Sequence, residues 1–336
     1  MIETSALTKT FRQGKKTVEA VRGIDLTIGE GELVALLGPN GAGKSTTLRM
    51  LTTLLAPTSG SARIAGFDVG KDRDRVRRSL GYVGQGNGAG HNHRGRDDHV
   101  VQGLCYGMDR RRSRSRADEL TEALELGELA TRTVSTLSGG QRRRLDIALG
   151  LVHRPPLLFL DEPTTGMDPQ SRANLWDHIL RLRREMGTTI VLTTHYLDEA
   201  DSMAERVIVI DRGTVIADDT ATALKSELAG DLVVLTVSDA SALVPLLDGV
   251  TGVRDVTVSG SRLNIRVERA EAVLPELLRL SESHGIRVLT ADMTRPTLDD
   301  VFLGLTGRSL RESATASSSE FENSELESAS TAGEIR

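Results

Sequence analysis

Residues 33–46 read LVALLGPNGAGKST, a short apolar run followed by a glycine-rich loop and a lysine. The spacing matches G-x-x-x-x-G-K-S/T, and between a strand and a helix such a loop surrounds phosphate oxygens with backbone N–H groups. A helix predicted over residues 44–53 disfavours the alternative of a glycine-rich turn without a ligand. Lys44 is expected to reach the β- and γ-phosphates of a nucleotide, and the Ser45 hydroxyl to ligate Mg²⁺. The predicted nucleotide-binding residues are Gly38, Pro39, Asn40, Gly41, Ala42, Gly43, Lys44, Ser45 and Thr46.

Two further apolar runs end in polar residues. Residues 156–163 read PLLFLDEP, and residues 188–195 read TTIVLTTH. Short, continuous apolar runs are typical of strands that are buried on both faces of a parallel sheet. Because such sheets bind ligands beyond the carboxyl ends of their strands, the last residues of both runs are expected beside the phosphate loop.

These strand ends supply the predicted catalytic groups. Asp161 is placed to hold Mg²⁺, and Glu162 is a candidate general base that polarises the attacking water. The alternative, a pair of solvated acids, fits poorly beside a phosphate loop. His195 is predicted to contact the γ-phosphate, against the alternative of a purely structural histidine.

Residues 137–144 read LSGGQRRR, where a small hydroxyl and two glycines indicate a helix start. The arginines at 142–144 span most of a turn and cannot all face one partner. We therefore predict a solvated or interface-lining turn there rather than a nucleic-acid patch. The buried face of this helix is predicted from apolar residues at helical spacing, which are Leu145, Ala148, Leu149 and Val152.

Composition argues against a nucleic-acid partner. The chain has 336 residues and a net charge of −5, and residues 309–336 contain six Glu and two Arg. The remainder is nearly neutral, whereas nucleic-acid binding relies on a basic surface. The single cysteine, Cys105, excludes a disulfide scaffold and a multi-cysteine zinc site, and is expected to be buried or half-buried.

Six motifs, taken in order, resemble those of ABC-type ATPase domains over about residues 3–228. They are GPNGAGKST, the glutamine of GYVGQ, LSGGQ, LLFLDEP, GMDP and TTH. The resemblance implies an α/β fold, a P-loop NTPase domain with an antiparallel β subdomain and a helical subdomain. It also implies that two such domains pair head to tail around two ATP molecules, so a second copy of the chain is an expected partner.

The resemblance also implies roles at the dimer interface. Asp168 matches a loop that crosses the interface between the two copies. The signature of one copy is implied to cap the γ-phosphate that the other copy binds. Its residues in this sequence are Ser138, Gly139, Gly140 and Gln141.

Three further positions match functional residues of the family. Gln85 matches the glutamine that touches Mg²⁺ or the attacking water and senses the transport partner, and His195 matches the switch histidine. Phe11 falls where an aromatic ring stacks on adenine. The alternative for Phe11 is a buried core residue, since apolar rings are usually buried.

The chain is predicted to contain an ABC ATPase domain at residues 1–228, with a helical subdomain at about 86–152. Residues 229–307 follow the order β-α-β-β-α-β and predict a small ferredoxin-like α+β domain that a short helix closes. Residues 308–336 are rich in Ser, Glu and Ala and are predicted to be a disordered acidic tail.

The stretches TLDDVFLGLTG and TTGMDPQSRANLW resemble ATPase subunits of the daunorubicin/doxorubicin-resistance exporters. The resemblance implies ATP hydrolysis that drives efflux of a drug or natural product through a separate multi-spanning membrane subunit. The chain is then expected as a peripheral protein at the cytoplasmic face of a bacterial plasma membrane. Two alternatives stay open: an import ATPase with a ligand-sensing C-terminal domain, and a soluble ABC ATPase without a transport role.

Residues 84–100, GQGNGAGHNHRGRDDHV, depart from the family pattern. The side chains of His91, His93, Asp97 and His99 raise the alternative of a metal site. Their irregular spacing favours a flexible surface that contacts the transport partner.

Overall fold

The computed structural model describes residues 1–14, 16–86, 88–90, 92–226 and 230–307. Contacts divide the chain into one unit at Met1–Asp218 and a second that starts at Asp219. The predicted acidic tail lies outside the described residues.

A six-stranded sheet forms the centre of the first unit. From edge to edge its strands are β10 (Thr214–Asp219), β9 (Arg206–Asp211), β3 (Leu33–Leu37), β8 (Thr189–Thr194), β7 (Leu157–Asp161) and β6 (Leu80–Val83). The five strands from β9 to β6 run parallel. Every residue of β3, β7 and β8 is buried, and burial on both faces was predicted for the runs that form β7 and β8. The carboxyl ends of these three strands lie at one edge of the sheet.

A hairpin that turns at Arg212 and Gly213 joins β9 to β10. Both residues have positive φ, +47° and +81°, which matches the right-handed twist of two-residue hairpins. The Gly213 N–H donates to Ala42 O at 2.9 Å, and the Arg22 N–H donates to Gly213 O at 2.8 Å. This hairpin therefore fixes one side of the phosphate loop.

A second, antiparallel sheet confirms the predicted β subdomain. Its strands, in order, are β2 (Lys16–Ile28), β1 (Ile2–Gln13), β4 (Ser59–Ile64) and β5 (Phe67–Asp68). Apolar residues of β1, β2 and β4 pack with β3 and with the helix that follows it in one core cluster. The two sheets of this unit thus share one hydrophobic core.

Seven α-helices of the described chain belong to the first unit. They are α1 (Lys44–Leu51), α2 (Arg73–Arg78), α3 (Gly95–Cys105), α4 (Arg110–Ala123), α5 (Gly139–Leu151), α6 (Pro169–Met186) and α7 (Leu197–Met203). The region predicted as helical from residue 86 starts its first helix only at Gly95, after a glycine-rich loop. Cys105 is exposed at the end of α3, so the expectation of a buried or half-buried cysteine is wrong.

The second unit has the predicted β-α-β-β-α-β order. Its elements are α8 (Ala221–Leu224), β11 (Asp231–Val237), α9 (Ala240–Leu247), β12 (Val253–Ser259), β13 (Arg262–Val267), α10 (Ala270–Ser283), β14 (Val288–Thr294) and α11 (Leu298–Thr306). The antiparallel sheet has the order β12-β13-β11-β14. Apolar residues of α9 and α10 pack on the β11 and β13 side chains that face them. Within the described ranges, no helix combines the length and apolar character needed to traverse a lipid bilayer.

Candidate active site

The phosphate loop starts at the end of β3 and leads directly into α1. Gly43 precedes α1 with φ +104°, and a Cβ at this position would lie 2.5 Å from Ala20 O. Glycine is required here because a side chain would meet both a strained dihedral and another backbone. A helix that begins directly after the loop leaves its first N–H groups without intrahelical partners, and such groups bind anions.

Lys44 is buried within this loop. Its Nζ donates to Gly38 O at 2.7 Å and to Pro39 O at 3.0 Å. Burial lowers the pKa of Lys44, while the carboxylates of Glu162 and Asp161 raise it. The ammonium thus lies between the loop carbonyls and the acids at the end of β7.

Asp161 is fully buried at the end of β7. Its Oδ1 accepts hydrogen bonds from Ser45 Oγ at 2.8 Å and Thr193 Oγ1 at 2.7 Å, and its Oδ2 accepts one from Tyr82 Oη at 3.3 Å. Gln85 Nε2 donates to Ser45 Oγ at 3.3 Å. The structure therefore brings together Ser45, Gln85 and Asp161, the three residues predicted to ligate Mg²⁺.

Thr193 is a site residue that the sequence analysis missed. Besides its bond to Asp161, its Oγ1 accepts the Glu162 N–H at 2.9 Å. Thr193 is the register partner of Asp161 in the parallel pair of β7 and β8. The signal for Thr193 is this register, which is available only when the strand order is known.

Glu162 follows β7 with φ +46°, a left-handed conformation that residues with a Cβ seldom adopt. Its Oε1 lies 3.7 Å from His195 Nδ1, which is an ion-pair distance and too long for a hydrogen bond. Its Oε2 accepts from Thr165 Oγ1 at 3.2 Å. The neighbouring His195 holds the pKa of Glu162 below its ordinary value of 4.5; burial opposes this, and Lys44 also favours the carboxylate. Glu162 is therefore ionised at neutral pH.

His195 directly follows β8, and its side chain is largely buried. Its Nδ1 is buried and has no hydrogen-bond partner among the described residues. The ring packs at a tilt against Tyr196, with 4.2 Å between ring centroids. Glu162 and His195 are thus brought together, as predicted for the ends of the two strands.

The signature and the interface aspartate both cap helices. The Gln141 N–H donates to Ser138 Oγ at 3.3 Å and the Ser138 N–H donates to Gln141 Oε1 at 3.0 Å, which closes a capping box at the start of α5. Asp168 accepts the Ser171 N–H at 2.9 Å and caps α6. Ser138 and Asp168 are exposed, and no hydrogen bond or ion pair of the described chain joins either to Lys44. Their roles at a dimer interface stay predictions.

A cleft of about 240 Å³ lies between the start of α5 and the end of β7. Gln85, Gly139, Arg143 and Glu162 line it. Within one copy of the chain, the signature helix thus borders the same cleft as the predicted catalytic carboxylate.

Phe11 lies on β1 and is 41% exposed, so the alternative of a buried core phenylalanine is wrong. Lys9 Nζ lies 5.3 Å from the centroid of its ring. An accessible aromatic face suits stacking on a planar base. Adenine stacking stays a prediction.

The expectation of a solvated or interface-lining turn at residues 142–144 is wrong for Arg143. Its side chain is buried and donates to main-chain carbonyls of Gly84, Asp161 and Pro163. Arg142 and Arg144 are half-buried. The spacing of the arginines did not reveal this, because the partners of Arg143 come from distant parts of the chain.

The histidines of the stretch at residues 84–100 that the structure describes each make a contact of their own. His93 Nδ1 lies 2.8 Å from Asp98 Oδ1, and His99 is buried with its Nε2 3.2 Å from Leu145 O. His91 lies outside the described residues. Within the described ranges, no group of three or more His, Cys, Asp or Glu residues is arranged to hold a metal ion.

Comparison with known proteins identifies the family. A family model described as ABC transporter matches residues 21–165, and one described as ATP-binding protein DrrA1-3-like, C-terminal domain, matches residues 220–306. The chain is 42% identical over 327 residues to the daunorubicin/doxorubicin resistance ATP-binding protein DrrA of Streptomyces peucetius, across 96% of this chain and 97% of that protein. It is 37% identical over 316 residues to the linearmycin resistance ATP-binding protein LnrL of Bacillus subtilis, across 93% of this chain and 100% of that protein.

A solved structure shares the fold of the first unit. The dimeric ATP-binding cassette MJ0796, in a post-hydrolysis state bound to ADP and Pi, is similar with a TM-score of 0.60 and 30% sequence identity. The alignment covers 66% of this chain and 98% of that chain. The chain therefore belongs to the ABC transporter ATP-binding proteins of the daunorubicin-resistance type, whose ATPase domain couples ATP hydrolysis to transport.

Proposed function

We propose that the chain is the ATPase subunit of an exporter and that it drives efflux of a drug or natural product through a separate membrane subunit. The observation that carries the proposal is similarity across both units, since the second unit matches the C-terminal domain of DrrA1-3-like proteins. Two relatives along nearly the full chain are named for resistance to daunorubicin/doxorubicin and to linearmycin. The chain would then work at the cytoplasmic face of a bacterial plasma membrane.

The phosphate loop and its neighbours would hold the nucleotide together with Mg²⁺. Loop N–H groups and Lys44 bind the phosphates, and Phe11 stacks on the adenine. Ser45, Asp161 and Gln85 offer hydroxyl, carboxylate and amide oxygens, the hard ligands that fit Mg²⁺, and they already lie in one hydrogen-bonded group. Bound Mg²⁺ supplies charge neutralisation of the phosphates.

Glu162 would orient the water that attacks the γ-phosphate. Its lowered pKa keeps the carboxylate ionised, so it can accept a hydrogen bond from that water at neutral pH. As the proposed general base, Glu162 can also take up the proton of that water as it attacks. His195 faces Glu162 and would contact the γ-phosphate.

A second copy of the chain would complete each site. The dimeric state of the similar cassette MJ0796 supports a pair of this kind. Ser138 and Asp168 are exposed and so are accessible to a partner copy. In the proposed head-to-tail dimer, Ser138, Gly139, Gly140 and Gln141 of one copy reach the γ-phosphate that the other copy holds.

Inverted membrane vesicles would test the exporter. They are prepared from bacteria that express the chain with the multi-spanning membrane protein that co-purifies with it. We expect ATP to drive daunorubicin into these vesicles and the Glu162→Gln chain to support no uptake. Uptake into intact cells that depends on the chain would point to an importer, and co-purification with ribosomes or nucleic acid in place of a membrane protein would contradict transport.

A further inference from the structure

Arg143 lies on α5, just past the capped start that contains the signature, and its side chain is buried. Its guanidinium donates three hydrogen bonds, all to main-chain carbonyls. Nη1 donates to Gly84 O at 2.6 Å, Nη2 to Asp161 O at 3.0 Å and Nε to Pro163 O at 2.9 Å. A planar fork with fixed donor directions can hold three separate carbonyls at once, whereas the ammonium of lysine is a compact point charge.

These carbonyls flank Glu162, which is proposed to orient the attacking water, and Gln85, which is proposed to hold Mg²⁺. Asp161 and Pro163 stand on either side of Glu162, and Gly84 directly precedes Gln85. Glu162 has φ +46°. A residue with a Cβ keeps such a conformation only where surrounding contacts impose it, and Arg143 supplies two of those contacts.

Asp146 holds the same region from the next turn of α5. Its buried carboxylate accepts the Gly88 N–H at 2.9 Å and the Ala89 N–H at 2.8 Å, both through Oδ1. Arg143 and Asp146 therefore secure the segment around Gln85 at both ends. One face of α5 is thereby fastened to the segment around Gln85 and to the backbone around Glu162.

We propose that Arg143 is a positioning residue for ATP hydrolysis, which fixes the backbone around Glu162 and in front of Gln85 and ties both to the signature helix. The inference rests on the role proposed for Glu162. Arg143 contacts main-chain carbonyls next to these side chains and acts on the reaction through Glu162. Its replacement therefore affects turnover rather than ATP binding.

The test compares Arg143→Lys and Arg143→Met with Arg116→Lys as a matched control. Arg116 is also buried, on α4, and donates to main-chain carbonyls of Val152 at 3.2 Å and Leu151 at 2.9 Å, at the opposite end of α5. For the purified full chain, we expect Arg143→Lys to lower kcat about 10- to 100-fold and to leave the Kd for ATP within about 2-fold. Arg116→Lys should lower Tm similarly and keep kcat near that of the parent. Arg143→Met should lower kcat at least as far as Arg143→Lys does. If the Met variant does not fold, the Lys variant alone carries the test.

Parallel measurement of Glu162→Gln separates the possible failures. In one outcome, Glu162→Gln is slow, and Arg143→Lys and Arg116→Lys have the same kcat and the same loss of Tm. The inference about Arg143 is then overturned, and the proposed function stands. If Glu162→Gln hydrolyses ATP at the parent rate, the role of Glu162 is overturned and the inference with it. In the Glu162→Gln background, Arg143→Lys should leave the residual rate almost unchanged. If Arg143→Lys lowers the rate of the Glu162→Gln chain by the same factor as it lowers the parent rate, Arg143 does not act through Glu162.

Discussion

Glu162 directly follows the last residue of β7, in the left-handed backbone region, and faces His195 across 3.7 Å. Thr193 accepts its N–H and Thr165 donates to its carboxylate. One hydrogen bond thus fixes the main chain of Glu162, and another fixes its carboxylate. Such fixation suits a residue that orients a water molecule, because small displacements of a reacting group lower the rate steeply.

Replacement of Glu162 by Gln should separate ATP binding from hydrolysis. We expect a kcat that is lower by about 10²- to 10⁴-fold, because the neutral amide cannot take up a proton and its oxygen is a weaker hydrogen-bond acceptor than a carboxylate. The Kd for ATP should be unchanged, and the variant should accumulate as an ATP-bound dimer in size-exclusion chromatography. Glu185→Gln, at an exposed position on α6, is the control and should keep the parent rate. Turnover by Glu162→Gln at the parent rate would contradict the assignment.

Acid should weaken the parent chain more than the Glu162→Gln variant. The folded-state pKa of Glu162 lies below the ordinary value of 4.5, so the folded protein favours the carboxylate. That contribution to stability is complete above the unfolded-state pKa and is lost as the pH falls through the folded-state pKa. The Tm of the parent relative to Glu162→Gln should therefore decline from about pH 5 to about pH 3 in thermal unfolding experiments. A constant difference in Tm across this range would argue against a lowered pKa.

At the residue scale, the sequence predicted those site residues that lie in short local motifs. The phosphate loop, Asp161, Glu162 and His195 lie in short motifs next to strands, and the structure brings the last three together with Lys44. Arg143 and Thr193 escaped prediction because their partners are distant in sequence. Arg143 lies 59 residues from Gly84, and Thr193 lies 32 residues from Asp161.

At the scale of elements, the order of hydrophobic runs determined most of the fold. Uninterrupted apolar residues predicted β7 and β8 as buried strands, and the structure confirms them. The run before the phosphate loop predicted β3 as a strand, and β3 is also fully buried. The late start of α3 did not follow from helical periodicity, because the glycines at 84, 86, 88 and 90 keep the preceding segment in a loop.

The start of α1 should be sensitive to a single methyl group. Gly43→Ala places a Cβ 2.5 Å from Ala20 O at φ +104°, so the loop must shift. We expect an ATP affinity lower by at least about 10-fold and a stability loss of about 1–3 kcal/mol. Gly41→Ala is the control, because Gly41 also has positive φ, +79°, but a Cβ at that position would have no atom within 4 Å. Equal losses of affinity in the two variants would show that the dihedral, and not the collision, is responsible.

At the scale of the whole molecule, the proposed dimer makes each ATP site depend on two copies. Ser138→Arg should lower turnover by at least about 100-fold, since the bulky cation displaces the signature from the partner's phosphate. ATP binding to the phosphate loop of the same copy should persist, because Ser138 makes its hydrogen bonds with Gln141 at the start of α5. Equilibrium binding of a fluorescent ATP analogue would measure this. A parallel loss of binding and turnover would contradict a role in the partner's site.

Mixing two inactive chains offers a sharper test of the head-to-tail arrangement. A Ser138→Arg copy retains its phosphate loop, and a Lys44→Ala copy retains its signature, so their mixed dimer contains one intact site. An equal mixture of the two chains should regain up to about a quarter of the parent rate. About half of its dimers are mixed, and each mixed dimer has one intact site out of two. The Ser138→Arg chain mixed with itself is the control. No recovery in exchanged dimers would contradict sites shared between copies.

The backbone conformation of Glu162 also has an evolutionary consequence. A glutamate at φ +46° carries strain of about 1–3 kcal/mol, whereas glycine and asparagine adopt this region more readily. A mutant library selected for heat resistance alone, with no demand for ATP turnover, should therefore accumulate glycine or asparagine at position 162. Lineages that retain glutamate there would be those in which hydrolysis still contributes to survival.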